Sequence, residues 1–132
     1  MEHKLYDIVK LSSHSEIDMG LVRLFFSDNR DYFEQLAIFQ ADYQRPLAHY
    51  TPAFVINSPS DRERFLTECY QMRVILMQLG MRLALHELDI MEDAAHRQDM
   101  MTFADGQVKF LAAIIIYQDI IAGAQIKHLS PM

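Results

Sequence analysis

The stretch Phe65-Leu66-Thr67-Glu68-Cys69-Tyr70-Gln71-Met72-Arg73-Val74-Ile75-Leu76-Met77-Gln78-Leu79-Gly80 decides how this chain folds. Phe65, Cys69, Met72, Leu76 and Leu79 recur at steps of four and three. That is the spacing of one core-facing helix stripe. Leu66, Tyr70, Val74 and Met77 form a second apolar line on the opposite side. A helix on the outside of a bundle needs one stripe, so the second requires a reason. Either the N-terminal segment or a second copy buries it, or it stays exposed and docks a partner.

Other segments of helical period surround this one. Asn57-Ser58-Pro59-Ser60 reads as a loop, and Ser60 with Glu63 as the start of a helix from about Asp61. Gly80 ends or kinks that helix. A further helix is expected over Arg82 to Arg97, a loop or ragged start over Gln98 to Asp105, and a last helix to about Ala122 or Ala124. Upstream, Ser15 followed by Asp18 is a cap-like start for a short helix whose face is Ile17, Leu21, Leu24 and Phe25. Asp28 or Asn29 caps the next, with Phe33, Leu36, Ala37, Tyr43 and Leu47 as its stripe, widened by Ile38 and Phe39. Pro46 should bend or interrupt it and Pro52 marks a second weak point. Residues 1–15 read as a leading segment with a short helical turn at Leu5, Ile8 and Leu11, and 125–132 as a frayed tail. No convincing alternating strand is present. The expectation is one domain over residues 1–132, an all-α antiparallel four-helix bundle with an extra short N-terminal helix.

Composition narrows the function. The chain has 132 residues, 51% of them hydrophobic, which is enough to fill a core. Net charge is −6 without any Lys/Arg run, which argues against nucleic acid as a partner. The N-terminus lacks an apolar core and a small-residue cleavage site, so a cytoplasmic location is expected. Phe110 to Ala124 reads as too short to span a bilayer, where about 20 apolar residues are needed. The single Cys69 excludes an internal disulfide and sits on the core stripe.

The run Cys69 to Gly80 resembles the active-site helix of histidine phosphotransfer (HPt) domains, roughly Ala-His-x-Leu-Lys-Gly-x-x-x-x-Leu-Gly. The resemblance extends over about Asp18 to Ile121. Asp18, Leu21, Leu24, Asp28, Phe33, Leu36 and Phe39 follow the family's opening order, and Pro46 its later proline. Asp61 to Cys69 resembles the acidic approach to its histidine. Met91-Glu92-Asp93-Ala94-Ala95-His96-Arg97-Gln98-Asp99 looks like its closing turn, and the apolar helix after Gly106 like its last helix. The resemblance implies a two-component phosphorelay module whose partner is a response-regulator receiver domain or a histidine kinase.

Three departures decide what such a module could do. Tyr70 stands where the family has its phosphorylated histidine, Arg73 where it has lysine, and Val74 where it has the glycine of close approach. A phenol with a pKa near 10 stays protonated and would form a stable ester rather than a labile phosphoramidate. Arg73 would still be a competent phosphate ligand. No catalytic residue is therefore expected. The docking face implied is Leu66, Tyr70, Arg73, Val74 and Met77.

Other chemistry is thinner. His86, Asp89 and Asp93 share a helix face, and Glu92 and His96 are four apart. A charged solvent-facing stripe explains them as simply as a metal, and neither metal nor cofactor is expected. His3, His14, His49, His96 and His128 read as solvated. Nine methionines, Met72, Met77, Met81 and Met91 among them, point to adaptable packing. Two other readings stay open: phosphotransfer through a non-standard residue, and a structural or oligomerisation bundle unrelated to phosphorelay, whose second stripe is buried by its own N-terminus or by a second copy in a homodimer.

Overall fold

The computed structural model describes residues 4–126, and these form an all-α helical bundle. Four helices build its body: α3 (Asn29–Asp42), α5 (Pro59–Gln78), α6 (Arg82–Arg97) and α7 (Met100–Ala124). Three short helices, α1 (Ile8–Ser13), α2 (Met19–Phe25) and α4 (Pro52–Asn57), seal its sides and ends. The connections from α5 to α6 and from α6 to α7 are too short for anything but antiparallel neighbours. α6 sits between α5 and α7 and packs on both.

Four helix starts share one chemical cause. Asp18, Asp28, Ser58 and Asp99 cap α2, α3, α5 and α7, each accepting a bond from a backbone N–H of the first turn. The expected loop at 57–60 is therefore a junction: Ser58 is the cap, not Ser60, and Pro59 fills the first helical position, where its missing N–H costs nothing. Pro52 likewise opens α4 rather than weakening a helix. The expected loop at 98–105 shrinks to Gln98 and Asp99. Gln98 takes a left-handed turn (φ 57°), and Asp99 accepts from both the N–H and the hydroxyl of Thr102.

The core contains Phe65, Cys69, Met72, Leu76 and Leu79, the stripe expected of α5. Burying a side chain of this size contributes roughly 1.5–3 kcal/mol. Tyr50, Phe65 and Phe103 pack edge to face, with centroids 5.4 and 4.9 Å apart. Two expected stripes are displaced. In α2 the buried residue is Val22, while Leu24 and Phe25 face solvent. In α3 Tyr32, Leu36 and Phe39 face inward; Phe33, Ala37 and Tyr43 are half-buried, and Ile38 is exposed.

α7 is longer than its apolar part suggested. At 25 residues it is long and apolar enough to cross a bilayer by length and composition. Phe103, Phe110, Ile114, Tyr117 and Ile121 are nevertheless buried in the bundle. Its polar interruptions have work inside the fold. The Gln118 amide donates to the Phe39 and Tyr43 carbonyls, both at 2.9 Å, closing the end of α3. Gln107 donates to the Leu47 and Tyr50 carbonyls at 3.0 and 2.7 Å, where Leu47 holds a positive φ of 63°.

The ends of the described chain meet. β1 (Leu5–Tyr6) pairs antiparallel with β2 (Gln125–Ile126), so residues 125 and 126 are ordered into a ladder rather than frayed. Residues 127–132 of the expected tail lie outside the described residues, as do His3 and His128. The Tyr6 hydroxyl donates to Gln40, whose amide donates to Gln125. Lys10 donates to the Gly123 carbonyl at 2.9 Å, and α1 packs on α7.

Candidate functional site

The site follows from where the N-terminal segment goes. It binds the far end of α7, with the Asp7 N–H on the Ala124 carbonyl at 2.8 Å. Among the described residues most of the second stripe of α5 is left uncovered. Tyr70 is 68% exposed, Val74 40% and Met77 38%. Leu66 is withdrawn by comparison, half-buried and packed on the core.

Arg73 turns toward α6. Its guanidinium donates to Asp89 and, at 3.0 Å, to Glu92, two carboxylates one turn apart. Burial pulls its pKa down, but these hydrogen bonds outweigh that and raise it. In this structure the Arg73 fork that could serve a phosphoryl group is occupied by carboxylates. It borders the exposed apolar line and fixes α5 against α6.

The end of α5 is equally constrained. Gly80 has φ +67°, and a Cβ there would collide with the Asp18 carbonyl. The Asp18 N–H donates to the Gly80 carbonyl at 2.8 Å, Ile17 bridges Met81, and Asp18 pairs with Arg82. Gly80 thus ends α5 and joins α2 to the α5–α6 turn.

No family model, curated protein or solved structure matches this chain.

The remaining candidates separate in space. Burial, and then the nearby Glu92 carboxylate, push the Cys69 thiol up to about 12, so it is an unreactive core group. His86 and His96 are exposed on α6. His49 Nε2 lies 3.4 Å from Glu68, and His14 Nδ1 3.9 Å from Glu16. Asp89 and Glu92 are engaged by Arg73, and Asp93 by Arg97. Among the described residues no group of three His, Cys, Asp or Glu side chains could hold a metal ion. The Asp89–Glu92 clamp is the part the sequence reading missed. Its signal was present: Arg73 and Asp89 each lie eight residues from Met81, the midpoint of an antiparallel turn.

Proposed function

We propose that this protein is a docking module of a two-component phosphorelay, resembling an HPt domain that has kept a binding face without phosphate chemistry. Its partner is a response-regulator receiver domain or a histidine kinase. Tyr70, Val74 and Met77 make the central contact, with Leu66 and Arg73 at its edges. The observation that carries this reading is the exposure of that apolar line on α5, opposite a fully used core stripe. Tyr70 also stands at the position of the resemblance's phosphorylated histidine, and its phenol cannot exchange a labile phosphate. The module would act by competing with an active phosphotransfer domain for the same receiver.

The test is a calorimetric titration of purified receiver domains and kinase cores with wild type and Val74→Glu. The exposed site tolerates the charge, so circular dichroism should not change. A bound receiver or kinase whose affinity falls at least about ten-fold, or about 1.4 kcal/mol, fits the reading. Equal affinity for both proteins would remove this face. Acid-labile phosphate on the protein after mixing with a phosphorylated receiver would replace docking with phosphotransfer.

A further inference from the structure

α7 carries a seam of its own. Met101, Asp105, Val108, Ala112, Ile115, Asp119 and Ala122 follow one another at alternating steps of four and three, and all seven are exposed. Met101, Val108 and Ile115 are exposed by 81, 68 and 56%. This is a heptad line about 31 Å long at 1.5 Å per residue. It faces away from buried Phe103, Phe110, Ile114, Tyr117 and Ile121. A helix that merely needed solvating would carry charge at Met101, Val108 and Ile115 as it does at Asp105 and Asp119.

The charges beside the seam indicate what covers it. Asp119 has no partner among the described residues. Lys109 has an exposed i,i+4 bridge to Asp105 at 2.9 Å, a weak and replaceable contact. Lys109 and Asp119 each stand five residues from Ile114. A second copy laid antiparallel about an axis at Ile114 therefore sets Lys109 of each chain beside Asp119 of the other. Ala112 and Ile115 then pack between the two pairs, with Val108 just outside them. A parallel pairing would instead stack Asp105 on Asp105 and Asp119 on Asp119. Lipid is a poor occupant, because two carboxylates within the seam would enter hydrocarbon.

We propose that α7 is a self-association surface, pairing antiparallel with α7 of a second copy. The inference stands apart from the docking reading, since α6 separates this seam from the exposed face of α5. Together they would make the dimer bivalent.

Sedimentation equilibrium over a wide range of protein concentration tests it, on the full chain and on four variants checked by circular dichroism. Wild type should pass from monomer to dimer, and Ile115→Glu should stay monomeric. Lys109→Glu and Asp119→Lys should each weaken dimerisation by about ten-fold, the equivalent of about 1.4 kcal/mol. The Lys109→Glu, Asp119→Lys double variant should recover it. A wild type monomeric throughout, a dimer indifferent to Ile115→Glu, or a double variant as weak as the singles overturns the proposal. So does a monomer that floats with phosphatidylcholine–phosphatidylglycerol vesicles.

Discussion

Gly80 shows how much one missing Cβ decides. Its φ of +67° lies where L side chains are strained, and the space beside it is filled by the Asp18 backbone. Gly80→Ala must give up either the turn or the Asp18–Gly80 hydrogen bond. The expected loss is at least about 2 kcal/mol, read as a lowered urea midpoint. Tyr32 poses the opposite case. Its ring is fully buried, and its hydroxyl finds no hydrogen-bond partner among the described residues. Burial accordingly drives its pKa well above the usual tyrosine range, against a smaller opposing pull from Arg23. Tyr32→Phe deletes an unsatisfied group while keeping the ring, so chemical denaturation should show a gain of about 1 kcal/mol.

At the level of elements, α7 supplies polar side chains to carbonyls at the end of α3 and in the connection after it. Gln107 holds the Leu47 and Tyr50 carbonyls while Leu47 keeps its left-handed backbone. Replacing Gln107 with Leu strands the Tyr50 carbonyl and leaves that of Leu47 only the Tyr50 N–H, and should cost about 1–3 kcal/mol, measured by thermal or urea unfolding. Such long-range bonds explain what was legible in the sequence and what was not. The core stripe of α5 was readable because burial on a helix follows its period. Tyr32 was not, because Phe33 satisfies the same apolar pattern one position away and tertiary packing chose between them. Pro52 and Pro59 read as breaks, since proline at a first helical turn and proline in a loop look alike until the cap is known. The exposure of Tyr70, Val74 and Met77 was also out of reach. It depends on where the N-terminal segment lies, and that is set by Asp7 meeting Ala124 at the other end of the chain.

Over the whole molecule, acid should be the first condition to loosen the fold. Hydrogen bonds from Arg82 and from the Leu21 N–H hold the Asp18 carboxyl below its ordinary 3.8. Bonds from the Thr102 hydroxyl and N–H do the same for Asp99. A carboxyl lowered in the folded state stabilises fully above its unfolded pKa, and that contribution disappears as pH falls through the folded value. The urea midpoint should therefore hold near neutral pH and drop below 3.8. An Asp18→Asn, Asp99→Asn variant, which keeps cap acceptors, should show a shallower acid decline. The pairing of Leu5 with Ile126 has a different consequence. Residues 4–126 begin and end as ladder neighbours, and so form nearly a closed ring. Its helix order is then a matter of which peptide bond is left open. A short linker across the ladder, with new ends cut into the surface turn at 44–45, should give a permuted protein of the same architecture.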